Sequence, residues 1–387
     1  MKSIASNRVG AVGGTRRWRD GLRALFLLGL GLLLPAGGFA RAAETLKDDE
    51  VVVLYPALAR PDGDRWDVDV HGIVYEPERQ TLLTSVMRRA LGLDEDEMTA
   101  AERAIWRERS RYFLVDNERG KQLELRLAGR RFALGTSAAN GHFQGTLRLA
   151  AAELPGGGPG QAGTGVTWRC ELGSPGRPGR SVAMPVLFLA DTGVSVISDI
   201  DDTIKVSEVL DRDALLRNTF CRPFQPVPGL APVYRRWADG GAQFHYLTAS
   251  PWQLYLPLSE FVRSNGFPAG TFHMKNFRLK DGSFTSLFQS PERYKPQVIE
   301  ELLRRFPRRR FVLVGDSGEK DPEIYGGVAR QHPERVEGIL IRDVTGDAPG
   351  GARYRKAFEK VPAERWQVFK DPAAIQLQPA TAKPPAR

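Results

Sequence analysis

Two different patterns of hydrophobic positions divide the chain near residue 190. Between residues 44 and 190, apolar and polar residues alternate, as in Trp66–Val70 and Leu123–Leu127, and turn residues recur about every ten positions. Such alternation predicts half-buried strands, so we expect a mainly antiparallel, β-sandwich-like N-terminal domain. Two amphipathic segments, Thr81–Leu91 and Met98–Trp106, predict helices within it.

The last predicted strand of this domain, Val182–Leu189, contains a proline at position 185. Proline has no backbone N–H to donate to a neighbouring strand, so its presence favours an edge position in a sheet. The sequence therefore predicts that this strand closes the N-terminal domain at one edge.

From residue 191 to residue 375, short β-branched runs alternate with amphipathic helical stretches. The predicted strands are Val194–Ser198, Gln243–Leu247, Arg310–Val314 and Gly338–Ile341, and the predicted helices are Trp252–Ser264, Arg293–Phe306 and Pro322–Gln331. This order predicts an α/β domain with a parallel sheet covered by helices on both faces. Catalytic groups belong at the carboxyl ends of such strands. Residues 376–387, rich in Pro and Ala, predict a disordered tail.

Residues 1–42 have the pattern of a targeting signal rather than of a folded domain. A basic stretch precedes the apolar run Ala24–Leu34, and small residues follow at Ala40–Ala42. This order predicts a secretory signal peptide that is cleaved before Ala43, and hence a periplasmic or secreted protein. The alternative is retention as a membrane anchor, although the apolar run is shorter than the roughly 20 residues of a spanning helix.

The positive charge of the chain does not indicate nucleic-acid binding. The 387 residues include 55 Lys and Arg against 46 Asp and Glu, a net charge of +9. Residues 1–42 carry seven basic residues and one acidic residue, so most of the excess belongs to the leader. The remaining charge lacks the basic excess of a nucleic-acid-binding domain. The run Arg304–Arg310 is either a solvated helix end or a contact with a phospholipid surface.

The chain has two cysteines, Cys170 and Cys221. In an oxidising compartment they could form a disulfide between the two predicted domains, or they could be two buried thiols. Neither has a second cysteine or a histidine at the spacing of a zinc site, so the sequence predicts no metal site built on cysteine.

Aspartate and threonine side chains follow the predicted strands of the α/β domain, and a lysine lies near the start of its second predicted helix. Two aspartates two residues apart on an extended segment point the same way, so one can attack while the other handles a proton. Further carboxylates would hold a hard cation, and a hydroxyl with a lysine would hold a phosphate. The residues are Asp199, Asp201, Thr248, Lys295, Asp316 and Asp321.

The motifs around these residues resemble a known family. Their order is similar to that of the haloacid-dehalogenase superfamily: an Asp-x-Asp-x-Thr motif, then a Thr, then a Lys, and last a Gly-Asp-x4-Asp motif. In finer detail, four segments resemble the Mg²⁺-dependent phosphatidate phosphatase family named for a fungal actin-patch protein. They are Ser198–Lys205, Ser250–Tyr255, Gly315–Tyr325 and Ile341–Val344. The resemblance covers about Val194–Val344. It implies a haloacid-dehalogenase-like Rossmannoid sheet with little or no cap.

The resemblance also implies a reaction, the hydrolysis of phosphatidate to diacylglycerol, and a role for each residue. Asp199 would be the nucleophile that forms a phospho-aspartate, and Asp201 would first protonate the leaving oxygen and then activate water. Thr248 and Lys295 would bind the phosphate. Asp199, the Asp201 backbone carbonyl, Asp316 and Asp321 would hold Mg²⁺.

The substrate is less constrained than the reaction. The gaps Lys205–Pro228 and Phe267–Glu292 are too short for a large cap, so an open site would admit a bulky or membrane-bound phosphomonoester, with peripheral membrane contact. A non-lipid phosphomonoester is an alternative, and so is an exported lipid- or protein-binding module built on a phosphatase scaffold. We expect Trp252 and Tyr255 to pack in the core rather than to bind lipid.

Overall fold

The computed structural model describes residues 44–77, 81–155, 165–276 and 292–380. The predicted leader, residues 1–42, and residues 381–387 of the predicted tail lie outside this part of the chain. All described residues belong to one compact unit. None of the helices in the described ranges combines the length and apolarity that a membrane span requires.

The first part of the chain forms a nine-stranded, mainly antiparallel sheet, as the alternating pattern predicts. Its long third strand pairs with four others, and its inward-facing residues, such as Val68, Leu125 and Leu147, are fully buried. Among the strands of this sheet within the described ranges, β2 and β9 are the one parallel pair. The strands are β1 (Val51–Leu54), β2 (Ala57–Asp62), β3 (Arg65–Glu76), β4 (Asp116–Asn117), β5 (Gln122–Leu127), β6 (Arg130–Thr136), β7 (His142–Ala150), β8 (Gly165–Gly173) and β9 (Arg180–Phe188).

Two helices connect β3 to β4. Helix α1 spans Thr81–Ala90 and helix α2 spans Ala100–Ser110, close to the predicted bounds. Thr99 begins α2 by a capping box, because its hydroxyl accepts from the Glu102 N–H and the Glu102 carboxylate accepts from the Thr99 N–H. Local sequence therefore defines the start of this helix.

The predicted edge position of the strand that contains Pro185 is wrong. Strand β9 lies inside the sheet, with β8 on one side and β2 on the other. The pairing with β2 begins at Val186, one residue after the proline. Pro185 lies within the ladder with β8, opposite Thr167, but precedes the residues paired with β2. Its missing N–H therefore leaves the β2 pairing intact, and the strand can be internal.

The second part of the chain forms a six-stranded sheet in which every pairing is parallel, which confirms the α/β prediction. The strand order is β14-β13-β10-β15-β16-β17. The strands are β10 (Gly193–Ser198), β13 (Gln243–Pro251), β14 (Gly270–Lys275), β15 (Arg309–Asp316), β16 (Val336–Arg342) and β17 (Trp366–Phe369). A short hairpin, β11 (Lys205–Val206) and β12 (Gln225–Pro226), stands outside this sheet after β10.

Helices cover both faces of the parallel sheet. Successive residues of β10 show the separation, because Val196 belongs to one apolar cluster and Ile197 to the other. Side chains of α4 and α5 share the first cluster, and side chains of α6, α7 and α8 share the second. The helices are α3 (Arg212–Phe220), α4 (Leu230–Asp239), α5 (Tyr255–Ser264), α6 (Tyr294–Arg305), α7 (Asp321–Gln331) and α8 (Ala352–Ala357).

The two sheets share a hydrophobic core. Tyr55, between β1 and β2, lies against Trp252, with their ring centroids 4.1 Å apart, and meets Tyr255 edge-on at 4.7 Å. Trp252 and Tyr255 are 8% and 7% exposed, so both pack in the core as expected. Aromatic pairs of this kind add to the free energy gained by burying their area.

Both cysteines are buried free thiols in the structure. Cys170 belongs to the core of the antiparallel sheet, and Cys221 belongs to the core beneath α4 and α5. Of the two alternatives left open by the sequence, the structure has the pair of buried thiols.

The shared core predicts that Trp252→Ala destabilises the whole described unit. Loss of a large buried aromatic side chain costs about 3–5 kcal/mol, whereas Leu210→Ala changes a residue that is 62% exposed and should cost less than about 0.5 kcal/mol. Urea unfolding followed by far-ultraviolet circular dichroism and by tryptophan fluorescence measures both. We expect one coincident transition, with a clear drop in midpoint only for Trp252→Ala. Separate transitions, or equal midpoints for the two variants, would contradict the shared core.

Candidate active site

The carboxyl ends of three neighbouring strands bring the predicted site residues together. Asp199 directly follows β10, and its N–H donates to the Val314 carbonyl of β15 at 2.8 Å. Asp316 is the last residue of β15, and Thr248 lies in β13 on the other side of β10. All three side chains are buried. The parallel sheet therefore concentrates polar groups that are far apart in sequence.

Lys295, in the first turn of α6, lies at the centre of a carboxylate cluster. Its ammonium nitrogen is 2.9 Å from Asp199 Oδ1, 2.9 Å from Glu319 Oε2 and 2.6 Å from Asp321 Oδ1. The side chains of Lys295 and Asp321 are fully buried. Asp316 completes the cluster beside Asp199 and Asp321. Within the described residues, this cluster thus sets four carboxylates against one ammonium group.

The excess negative charge changes how these groups ionise. Burial raises the pKa of Asp199 well above its usual range, and neighbouring carboxylates add to the rise although the Lys295 ammonium opposes it. The pKa of Asp316 is also raised well above its usual range, first by burial and then by the charge of Asp321. Burial alone would lower the pKa of Lys295, but the surrounding carboxylates raise it well above its usual range. An additional positive charge would therefore favour the ionised carboxylates.

Three of these carboxylates have the arrangement of a cation site. Asp199, Asp316 and Asp321 each offer an oxygen, and the three oxygens lie within 4.8 Å of one another. Oδ2 of Asp199 and Oδ2 of Asp316 are buried and accept no hydrogen bond from the described part of the chain. Buried polar atoms normally have a partner, and carboxylate oxygens are the ligands that Mg²⁺ prefers. The residues present therefore fit a small divalent cation.

Asp201 points into a second group of polar side chains, and its carboxylate is not part of the three-oxygen arrangement. Its Oδ1 lies 2.7 Å from the Lys205 ammonium and accepts from the Ser207 hydroxyl at 2.8 Å. Its Oδ2 accepts from the hydroxyls of Thr248 at 3.0 Å and Ser250 at 3.1 Å. Burial alone would raise the pKa of Asp201, but Lys205 and these hydrogen bonds lower it to about 2. Asp201 is therefore ionised in this structure.

The structure thus divides the six predicted residues between two adjoining groups. Asp199, Lys295, Asp316 and Asp321 form the first, and Asp201 and Thr248 belong to the second. The hydroxyl of Thr248, which the resemblance assigns to phosphate binding, donates to Asp201 in this structure.

Sequence reasoning missed four residues of the site, namely Lys205, Ser207, Ser250 and Glu319. Lys205, Ser250 and Glu319 lie within the motifs that carry the family resemblance, but no role had been assigned to them. A signal was present for Lys205, because a residue four positions after Asp201 can return to it through a tight turn. Which carboxylates these residues contact depends on how the strand ends converge, and chain spacing does not encode that.

Gly315 permits the close approach of Asp321 to the sheet. A Cβ at position 315 would lie 2.2 Å from Asp321 Oδ2 and 2.7 Å from its Cβ. The loop that separates them is held from the outside by Arg353 of α8, whose guanidinium donates to the Glu319 carbonyl at 2.6 Å. Gly315 and Arg353 therefore determine where Asp321 meets Lys295.

The arginine run at residues 304–310 is largely paired with acidic residues. Arg304 pairs with Glu301 at 2.7 Å, Arg308 with Asp191 at 2.5 Å, Arg310 with Glu337 at 3.2 Å, and Arg305 with Asp69. Arg309 is buried and donates to backbone carbonyls that precede β10 and lie in it. Such pairing reduces the positive charge that this segment could offer to a phospholipid surface.

Comparison with known proteins identifies relatives of the second half of the chain. Residues 194–343 match the family model for Phosphatidate phosphatase APP1, catalytic domain. Phosphatidate phosphatase APP1 of Saccharomyces cerevisiae is 35% identical over 166 residues, which make up 42% of this chain and 28% of that protein. An uncharacterized protein of Schizosaccharomyces pombe is 33% identical over 169 residues, 43% of this chain and 27% of the relative. The chain therefore spans less than a third of the length of these relatives, and the resemblance is confirmed for the matched segment.

The close contact at Gly315 predicts that Gly315→Ala destabilises the protein. The added methyl group must displace the Asp321 carboxylate from Lys295, and overpacking of this kind costs about 1–3 kcal/mol. Gly350→Ala is a matched control, because a Cβ there meets nothing within 4 Å. Thermal unfolding should give a lower midpoint for Gly315→Ala and an equal or higher one for Gly350→Ala. Equal midpoints in the two variants would contradict the proposed role of the glycine.

Proposed function

We propose that the chain is a Mg²⁺-dependent phosphatase that converts phosphatidate to diacylglycerol through a phospho-aspartate on Asp199. The observation that carries this proposal is the buried cluster of Asp199, Lys295, Asp316 and Asp321 beside the ionised Asp201. The segment that contains these residues matches the catalytic domain of a phosphatidate phosphatase family. A binding module would gain nothing from several buried carboxylates that repel one another.

We further propose a haloacid-dehalogenase-like fold for this half of the chain. The parallel strand order β14-β13-β10-β15-β16-β17 supports it, as does the nucleophile position directly after the central strand β10. The segment between β11 and β12 contains only the nine-residue helix α3. This agrees with a site that has little cap on that side.

In the first chemical step, an oxygen of Asp199 attacks the phosphorus atom and the bond from phosphorus to the lipid oxygen breaks. Lys295 contacts Oδ1 of Asp199 and places a positive charge next to the incoming phosphate. A cation held by Asp199, Asp316 and Asp321 would offset further negative charge and favour the ionised nucleophile. The products of this step are the phosphorylated aspartate and the alkoxide of diacylglycerol.

Asp201 is proposed to protonate that alkoxide. For this, its pKa must rise from about 2 when substrate binds, so that the carboxylate takes up a proton from solvent before the bond breaks. The negative charge of the phosphate would raise it. If the hydroxyls of Thr248 and Ser250 then donate to phosphate oxygens instead of to Asp201, the pKa of Asp201 rises further. The Thr248 hydroxyl thus has two roles in turn: it donates to Asp201 before substrate binds, and it contacts the phosphate afterwards.

In the second step, water attacks the phosphorus atom, the bond between phosphorus and Asp199 breaks, and inorganic phosphate leaves. The proton of the attacking water passes to Asp201, whose ionised form suits it to act as a base at this stage. Lys205 and Ser207 hold one oxygen of Asp201, so the other can face the reacting water. Asp201 thus regains a proton in place of the one that it gave up in the first step.

The lipid nature of the substrate and the location of the protein are also part of the proposal. The family match supports a phospholipid substrate, and peripheral contact with a lipid surface follows from that substrate rather than from the paired arginine run. Export rests on the pattern of residues 1–42 alone. A non-lipid phosphomonoester is the competing substrate class.

Substitution of the carboxylates tests the reaction. We expect Asp199→Asn to lower phosphatidate hydrolysis by about 10³-fold or more, because the attacking oxygen is lost. Asp201→Asn should cost about 10²–10⁴-fold, and Lys295→Ala should lower the rate less than Asp199→Asn. Asp239→Asn, at the exposed end of α4, is the control and should keep the wild-type rate. Release of inorganic phosphate from phosphatidate in detergent micelles is the measurement.

A near-normal rate in Asp199→Asn would mean a different nucleophile, and faster hydrolysis of sugar phosphates than of phosphatidate would refute the lipid assignment.

A second prediction concerns the cation and needs no catalysis. Mg²⁺ that binds the folded state alone should raise its stability, by about 2.7 kcal/mol at a concentration 100 times the dissociation constant. We expect the Mg²⁺-dependent rise in melting temperature to be lost or strongly reduced in Asp199→Asn and in Asp316→Asn. It should be retained in Asp239→Asn. Equal Mg²⁺-dependent shifts in all of these proteins would contradict a cation site at these carboxylates.

A further inference from the structure

A cavity of about 250 Å³ opens beside the catalytic carboxylates. Asp201, Ser250 and Glu319 line the part nearest the strand ends. Helix α3 forms another wall with Arg212, Leu215, Leu216, Thr219 and Phe220, and Leu254 adds to the apolar part of this lining. The cavity is thus continuous with the reacting groups at one end and mainly hydrocarbon along its side.

The position of α3 is set by the loop that leads away from the nucleophile. The backbone N–H groups of Ser207, Glu208 and Val209 all donate to the Asp202 carboxylate, at 2.8, 3.0 and 2.6 Å. Asp211 then begins the helix, since its carboxylate accepts from the N–H groups of Asp213 and Ala214. The segment after Asp201 therefore leads directly into the wall that faces it.

Helix α3 is also braced by the N-terminal half of the chain. The Arg109 guanidinium of α2 donates to the carbonyls of Thr219 at 2.7 Å and Arg222 at 2.9 Å. Phe220 meets Trp106 and Phe113 edge-on, with ring centroids 5.8 and 5.5 Å apart. These contacts fix the wall from behind, so its apolar face is preformed rather than assembled by substrate.

The size and chemistry of the cavity select among leaving groups. Pockets that enclose whole drug-sized ligands measure roughly 300–1,000 Å³, so 250 Å³ takes the carbons next to the ester oxygen but not two acyl chains. A leaving group with several hydroxyls would give up hydrogen bonds to water when it packs against Leu215, Leu216 and Phe220. Each hydroxyl left without a partner there would cost about 1–3 kcal/mol of binding free energy.

We propose that Leu215, Leu216 and Phe220 of α3 are specificity-determining residues, which accept the glycerol carbons and first acyl carbons of a phospholipid and disfavour polyhydroxylated phosphomonoesters. This inference rests on the proposed phosphatase function and adds the part of the chain that selects the substrate. The helix and its brace on α2 thereby give the N-terminal half a role in substrate choice.

The test changes Leu215, the least buried of the three, and compares two substrates of full-length protein with Mg²⁺. The substrates are dioctanoyl phosphatidate in detergent micelles and glycerol 3-phosphate, which carries the same phosphate without acyl chains. We expect Leu215→Gln to lower kcat/KM for the lipid about tenfold, mainly through KM, and to leave kcat/KM for glycerol 3-phosphate unchanged or raised. Leu210→Gln, which places the same polar group outside the cavity, should leave both values and their ratio as in wild type.

A second variant guards against misfolding of the first. Leu215→Phe keeps the wall apolar and reduces the space, so it should lower lipid hydrolysis more than hydrolysis of glycerol 3-phosphate. Melting temperatures near wild type establish that each variant is folded. An unchanged substrate ratio in folded Leu215 variants would overturn the inference and leave the proposed function standing. A wild-type protein that hydrolyses neither substrate would overturn the proposed function, and the inference with it.

Discussion

The site depends on the burial of several carboxylates around a single ammonium group. Lys295 contacts the buried Asp199 and Asp321 and the partly exposed Glu319, and Asp316 adds a fourth negative charge nearby. Such an arrangement is unfavourable for folding unless positive charge is added, because buried like charges repel strongly. Two parallel strands, β10 and β15, bring Asp199 and Asp316 together at their carboxyl ends, and Gly315 leaves room for the Asp321 side chain. This excess of negative charge makes the cluster suited to bind a cation.

A separate environment for Asp201 follows from the same strand ends. Asp199 and Asp201 are two residues apart, yet one shares its lysine with other carboxylates and the other has Lys205 largely to itself. Their pKa values therefore move in opposite directions, upward for Asp199 and down to about 2 for Asp201. Opposite shifts on neighbouring carboxylates are a physical basis for different roles in one reaction.

The N-terminal half of the chain contacts the elements that border the candidate site. Tyr55 packs on Trp252, just after the strand that carries Thr248, and Arg109 holds the carbonyl end of α3. Both contacts reach elements that border the site. The family match covers residues 194–343, so it does not account for this bracing. In this chain the antiparallel sheet and its two helices stabilise the wall of a cavity whose reactive groups come from elsewhere.

The sequence by itself determined which residues could carry the chemistry and which strands would present them. Short β-branched runs located β10, β13, β15 and β16 closely, because burial on both faces of a parallel sheet favours continuous apolar residues. Only the tertiary structure decided that β9 is internal despite Pro185, since that depends on where its pairing with β2 begins. It also decided that Lys295 meets Glu319, that Lys205 and Ser250 meet Asp201, and that α3 faces the site. These contacts join residues from separate elements, and their distances follow from strand order and helix packing, which local sequence patterns do not encode.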